Sequence, residues 1–275
     1  MIIIDKQTRG RHGNKVFHFH TLMQLANLID QEPSTSYWDG YESFVPTCSL
    51  FIGTGETAKE IPFEDLIYKN TSELKDLYSS GAWKLHSLSL CGPFFRITKT
   101  DPRNFIRLSE PPKLKGDISV GIHLRGTDTR GADGMNCREI HSPEYYIESI
   151  DFVLKKYEKP TFYFCTDDPD TNFPSYAKTL KYLKDKSVDL EHDISNNYIK
   201  DFGILSQCDI LIAGSSTFVT AAAIIGKSKK IIHSKDFVEQ FIDGDQKWYS
   251  KFANGMFFHD MNHIRSDFYN VWKLI

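Results

Sequence analysis

His123, Arg125 and Asp128 close the stretch Val120-Gly-Ile-His-Leu-Arg-Gly-Thr-Asp128, an apolar run that stops in a polar cluster. Arginine there offers a rigid fork of donors that matches phosphate oxygens, and the histidine beside it can donate to or accept from a base or a sugar. A second cluster, Gly214-Ser-Ser-Thr217, stands between the apolar runs Ile210–Ala213 and Phe218–Ile225. A glycine and hydroxyl residues opening a helix leave backbone N–H groups at its positive end, and the hydroxyls of Ser215, Ser216 and Thr217 add donors for an anion. Together the clusters could hold a diphosphate, with His123 and Asp193 free to read a nucleoside. Each also has a plain structural explanation: an Arg–Asp ion pair beside a core histidine at the first, a Ser/Thr N-cap at the second.

The elements needed to position these residues can be read from the flanking pattern. In a strand, alternation sends Val120, Ile122 and Leu124 to one face and Gly121, His123 and Arg125 to the other. Thr161–Thr166 is a second β-rich run that ends at Asp167 and Asp168-Pro169, where Asp168 is suited to start a helix, and 188–192 is a third strand that ends at Asp193. Helices are expected from Pro143, capped by Ser142, to about Tyr157, and over 199–207 with Phe202 and Leu205 inward, while Gly226 ends the helix that begins near Thr217. Lys229–His233 reads as another strand.

Near the amino end, Ile2–Ile4 reads as a parallel strand, followed by the turn Gly10-Arg-His-Gly-Asn14 and a helix that Pro33 stops. Asn14 is suited to cap that helix, and the turn to touch a donor or acceptor sugar. Residues 33–108 are harder to read. Short strands are expected at Ser49–Gly53 and Arg96–Thr98, and helices at Phe63–Tyr68 and Thr71–Tyr78, with no chemistry assigned. Pro111-Pro-Lys-Leu-Lys-Gly116 has the composition of a linker. The aromatic-rich tail is expected to pack back on the domains, and His259 and His263, four apart, could offer two metal ligands from one helix face, though without an evident third.

With 275 residues, 40% hydrophobic and 13% aromatic, the chain can build one large core or two. A net charge of −3 argues against a nucleic-acid partner, so any phosphate site must be local. No apolar stretch is long enough to span a membrane and the amino end lacks a signal pattern. The five cysteines are odd in number, widely spaced and free of C-x-x-C pairs, with Cys165 and Cys208 expected to be buried. A cytoplasmic location is expected, with peripheral membrane association left open and the oligomeric state unspecified. The absence of G-x-x-x-x-G-K-[ST] and of G-x-G-x-x-G after a strand disfavours P-loop hydrolysis and dinucleotide oxidoreduction. Repeated β-to-α transitions point to an α/β chain of two Rossmann-like domains, 1–116 and 117–275, with a ligand in the cleft between them.

Four motifs in order carry a family resemblance. His-x-Arg-x-x-Asp at 123–128, Phe-Tyr-x-x-Thr-Asp-Asp at 162–168, Leu-Ser-Gln-Cys-Asp at 205–209 followed by a strand and Ser-Ser, and the early Gly-Arg-His-Gly-Asn-x-x-Phe resemble the GDP-fucose-dependent α1,2-, α1,6- and protein O-fucosyltransferases. The resemblance covers most of 118–226 and a short piece near the start. It implies a GT-B fold, with an acceptor-side domain over 1–116, a nucleotide-sugar domain over 117–275, and inverting transfer of fucose from GDP-fucose to a glycan hydroxyl. Carried over by position, Arg125 contacts the β-phosphate, His123 and Asp193 the guanine side, and Ser215, Ser216 and Thr217 the phosphates. Asn14 and Asp167 are further donor contacts, and Asp133 falls where the α1,6 group carries its candidate general base. No cofactor is expected, and no metal is required if arginine and the helix end supply the positive charge. One position departs: Gly126 stands where the family usually has a second arginine. Either another residue such as Arg130 replaces it, or the donor is another nucleotide sugar, or the chain is a silent nucleotide- or sugar-binding protein.

Overall fold

The computed structural model describes residues 1–4, 12–35, 41–46, 58–62, 65, 69–85, 103, 106–126, 141–166, 173–192, 197–214, 216–234 and 256–260, some of them by backbone alone. They fall into two compact units, one within Met1–Glu110 and the other within Pro111–Ile264.

In the first unit, strands β1 (Ile2–Ile4), β2 (Pro33–Thr35), β4 (Lys59–Glu60) and β5 (Trp83–Leu85) form a sheet in the order β2-β1-β5-β4, and every pairing is parallel. Central position explains the uninterrupted isoleucines of β1, because both faces of a parallel strand are covered. Helix α1 (His12–Leu28) connects β1 to β2 and buries Phe19, Leu22 and Met23, but also His18, His20 and Gln24. Its polar residues are therefore divided, with Asn27 exposed and these three inside. Asp30, at φ 53°, turns the chain out of the helix before Pro33 enters β2. Helix α2 (Thr71–Tyr78) starts in a capping box, Asn70 Oδ1 accepting from Glu73 N at 3.1 Å and Glu73 Oε2 from Asn70 N at 2.7 Å. A separate antiparallel pair joins β3 (Phe44–Pro46) to β6 (Ile106–Leu108).

The second unit runs β7 (Ser119–Leu124), α3 (Pro143–Lys156), β8 (Thr161–Thr166), α4 (Pro174–Asp185), β9 (Asp189–His192), α5 (Tyr198–Gln207), β10 (Ile210–Ala213), α6 (Thr217–Ile225), β11 (Lys230–Ser234) and β12 (Met256–Asp260). Its sheet has the order β12-β11-β10-β7-β8-β9, parallel except for the β11–β12 pairing. The chain builds outward from β7 through β8 to β9, then returns to lay β10 against the other side of β7. That reversal is the topological switch point of a doubly wound sheet. Val120, Ile122 and Leu124 pack with Tyr146, Ile150 and Val153 of α3 and Tyr176 and Leu183 of α4 in one core. On the opposite face a Cβ at Gly121 would lie 2.9 Å from Leu205 Cδ2 and 3.0 Å from Cys208 Sγ, so glycine is what lets α5 lie against β7. Cys165 and Cys208 are buried and free.

Several sequence expectations need correction. Pro33 does not merely stop α1 but begins strand β2. α1 starts at His12, which puts Asn14 inside its first turn instead of at the cap. A helix was expected to start at Asp168-Pro169, whereas α4 starts at Pro174 behind Phe173, which makes no side-chain cap. His259 lies in strand β12, paired with Ile231, and not on a helix, so it has no helix face to share. His263 itself, Asp168-Pro169, the strands expected at Ser49–Gly53 and Arg96–Thr98, most of Phe63–Tyr68 and the tail over 261–275 lie outside the described residues. The stretch expected as a linker is fixed to the second unit: the Tyr163 hydroxyl accepts from Lys115 N at 2.5 Å and donates to Lys115 O at 3.3 Å. No described helix is long and apolar enough to cross a membrane.

Candidate active site at the switch point

Strands β7 and β10 are neighbours in register, His123 opposite Ala213, so their carboxyl ends leave the sheet side by side. Gly214 N donates to His123 O at 3.2 Å. A Cβ on Gly214 would come 2.9 Å from His123 O, 3.0 Å from Tyr146 Oη and 3.9 Å from Arg125 N. The backbone of Arg125 is thus in contact range of the turn that leads into α6, and only glycine allows the two exits to approach this closely. Arg125 is half-buried and Gly126, which follows it, is buried.

The Ser216 side chain caps α6, accepting from Phe218 N at 3.2 Å, while Ser216 O accepts from Thr220 Oγ1 at 2.9 Å. The helix runs nine residues to Gly226 and carries no charged side chain, so the charge it presents is the positive end of its backbone. His123, 4% exposed, lies on the α5–α6 face with its ring 5.2 Å from that of Phe218, which meets Phe202 edge-on at 5.4 Å. The histidine is therefore built in under the first turn of α6.

Of the sequence-predicted site residues, His123, Arg125, Ser216 and the backbone of Thr217 are brought together at this point. Asn14 belongs to the other unit, in the first turn of α1. Asp133, Asp167, Asp193 and Ser215 lie outside the described residues, although Asp167, Asp193 and Ser215 directly follow Thr166, His192 and Gly214 in the chain. His192, the last residue of β9, is held by Tyr176 of α4, Oη to Nε2 at 3.0 Å.

Sequence reasoning missed the first turn of α3. Tyr145 Oη donates to Ala213 O at 3.0 Å, with Ile232 O at 3.3 Å as a second acceptor, and Tyr146 Oη donates to His123 O at 3.4 Å. Both rings lie over strand exits, and the His141 ring lies 4.3 Å from that of Tyr145. Burial, and then the nearby His233, hold His141 down at about 4, so it is neutral at pH 7. Burial, and then Tyr146, push the Tyr145 hydroxyl well above its ordinary range, which keeps it a donor. The adjacent tyrosines after Ser142-Pro143 were the available signal, but a helix start explains that stretch without them.

The other end of the same strands is a closed network. Asp209 Oδ2 accepts from Ser119 N at 3.1 Å and Ser119 Oγ at 2.8 Å, Asp209 N donates to Ser119 O at 2.9 Å, and Lys229 Nζ lies 3.3 Å from Asp209 Oδ1. The aspartate of Leu-Ser-Gln-Cys-Asp is thus a structural tie at the amino end of the sheet, remote from the strand exits.

No family model and no curated protein matches this chain in sequence. Solved structures do match in shape. One of POFUT1 in complex with GDP aligns at TM-score 0.53 and 12% identity over 82% of this chain and 96% of that chain. One of NodZ alpha-1,6-fucosyltransferase co-crystallized with GDP aligns at TM-score 0.53 and 13% identity over 94% of this chain and 98% of that one. POFUT1 in complex with GDP-fucose aligns at TM-score 0.52 and 12% identity over 82% and 95%. At such identities the likeness shows the fold, and the α/β GT-B class expected from the motifs is the class of these neighbours.

Proposed function

We propose that this chain is an inverting glycosyltransferase that moves fucose from GDP-fucose to a hydroxyl of a glycan acceptor. The observation that carries the reading is the meeting of the β7 and β10 exits at the switch point, with Arg125 on one and the start of α6 on the other. Support comes from a fold shared with POFUT1 and NodZ alpha-1,6-fucosyltransferase, both solved with GDP. In this reading the acceptor oxygen attacks C1 of fucose from the side opposite GDP, and the C1–O bond to the β-phosphate breaks with its electron pair leaving on the diphosphate. Arg125 and the N–H groups of α6 stabilise that charge, Asp133 takes the acceptor proton, and His123 and Asp193 hold the guanine side. Ser215, Ser216 and Thr217 cradle the phosphates, with Asp167 as a further contact.

Thermal unfolding with GDP, UDP and ADP and their sugars tests the donor. GDP and GDP-fucose at about 100 times their Kd should stabilise the protein by about 2.7 kcal/mol, and the other bases should not. Stabilisation by UDP or ADP alone would sink the donor assignment. Gly126, where the family that the motifs resemble usually has a second arginine, favours a second reading, a different nucleotide sugar or a silent binding protein. The same screen identifies another base, and release of fucose from GDP-fucose with and without glycan acceptors separates an enzyme from a silent binder.

A further inference from the structure

The peptide unit between Ala213 and Gly214 is held at both of its polar ends. Its carbonyl accepts from Tyr145 Oη at 3.0 Å, and its N–H donates to His123 O at 3.2 Å. A peptide unit is planar, so two bonds from opposite sides fix its orientation and the direction in which the chain leaves toward Ser216. The carbonyl on which it rests, His123 O, also accepts from Tyr146 Oη at 3.4 Å and stands two residues before Arg125. Neighbouring tyrosines of one helix turn thus hold the exits of two strands. Tyr145 reaches the third as well, through Ile232 O of β11 at 3.3 Å.

A tyrosine hydroxyl placed only to satisfy itself needs one acceptor anywhere nearby. Tyr182, on α4, is such a case, donating to Asp151 of α3 at 2.6 Å, away from any strand end. The acceptors of Tyr145 and Tyr146 are instead backbone carbonyls at the end of β10 and beside the end of β7, the strands that deliver the α6 turn and Arg125.

We propose that Tyr145, seconded by Tyr146, is a positioning residue that sets the α6 turn against Arg125 for the diphosphate of the donor. The proposal rests on the nucleotide site argued above. In this role Tyr145 acts through the Ala213–Gly214 peptide. Removing its hydroxyl leaves the ring packed on His141 and Tyr146 and frees the peptide to rotate, so the donors of the turn lose their aim while the core stays filled.

GDP binding by calorimetry and the phosphorus resonances of bound GDP, measured on the whole chain well below its melting temperature, test this with Tyr145→Phe, Tyr146→Phe and Tyr182→Phe. The expected order follows the bond geometry: Tyr145→Phe weakens GDP binding about fivefold and moves the β-phosphate resonance, Tyr146→Phe does the same by less, and Tyr182→Phe stays within about twofold of the parent with its resonance unmoved. If the parent binds GDP and both Tyr145→Phe and Tyr146→Phe behave like Tyr182→Phe, the positioning role is overturned while the nucleotide site stands. If the parent itself does not bind GDP, the site reading and this proposal fall together. Should Tyr145→Phe not fold, Tyr146→Phe against Tyr182→Phe decides the matter alone.

Discussion

Replacing Gly214 by alanine probes the contact on which the site depends. The new Cβ would stand 2.9 Å from His123 O and 3.0 Å from Tyr146 Oη, whereas ordinary carbon–oxygen contacts begin at about 3.3 Å. One neighbour is strand backbone and the other the tip of a tyrosine that is 1% exposed, so neither can swing away. The β7 and β10 exits must therefore separate by about 0.4 Å, at an overpacking cost of about 1–3 kcal/mol. For a protein of this length that lowers Tm by about 2–12 °C. Misplacing a reacting group by about 1 Å can cost about a hundredfold, so a shift of about 0.4 Å should weaken GDP binding about fivefold to tenfold. Gly203→Ala is the matched control: it lies in α5, its Cβ would meet Pro112 Cδ at 3.4 Å, and it gains up to about 1 kcal/mol of helix propensity. Scanning calorimetry and GDP titration of both variants give the result. If Gly214→Ala melts and binds like the parent, the two exits do not meet as described and the case for a shared anion site fails.

Arg125→Ala should abolish transfer and weaken GDP binding by more than tenfold without lowering Tm, checked by acceptor assay and calorimetry, and near-normal turnover would falsify the leaving-group assignment. Asp133→Asn should depress kcat with GDP affinity unchanged, and an unchanged rate excludes it as the base. His18 and His141, each pushed down from 6.5 to about 4 chiefly by burial, give the protein a stability that is complete above about pH 6.5 and is lost as pH falls toward 4, because the unfolded chain takes up their protons first. Each shift corresponds to about 3 kcal/mol, so urea midpoints should fall steeply between pH 7 and 4.5, and a flat profile contradicts their burial. Asp209→Ala leaves Ser119 without its acceptor and should cost about 2–3 kcal/mol in urea unfolding with GDP affinity unchanged. A loss of GDP affinity there would mean that the amino end of the sheet is coupled to the site.

The parts of the fold legible in the sequence are those where local pattern and tertiary demand coincide. β7, β8 and β10 are apolar because parallel strands are covered on both faces, and Ser142-Pro143 and Ser216 mark helix starts through their own side chains. The start of α4 was misplaced because Asp168-Pro169 has the pattern of a helix start, whereas the helix begins at Pro174 behind an uncapping Phe173. β2 escaped because a proline reads as a stop, although at the first residue of an edge strand its missing N–H costs nothing. At the site, Arg125 and the Ser216 cap were legible as residue types. The need for glycine at 214 was not, because it follows from His123 on a neighbouring strand far away in the chain, and Tyr145 and Tyr146 likewise bond carbonyls 68 and 23 residues away.

Strands β7 and β10 are tied at both ends, and the two ties differ in what they leave over. At the amino end the donors of Ser119 and the carboxylate of Asp209 satisfy one another, with Lys229 completing the charge, so the network is closed and serves stability. At the carboxyl end backbone meets backbone and α3: Gly214 N donates to His123 O, Tyr145 Oη to Ala213 O and Tyr146 Oη to His123 O. Arg125 and the first amides of α6 are then presented by a frame whose rigidity is supplied from behind, where preorganised donors act on developing charge without having to reorganise. Among the described strands of the second unit, the order of the sheet reverses between β7 and β10, the place where a doubly wound sheet holds its ligand.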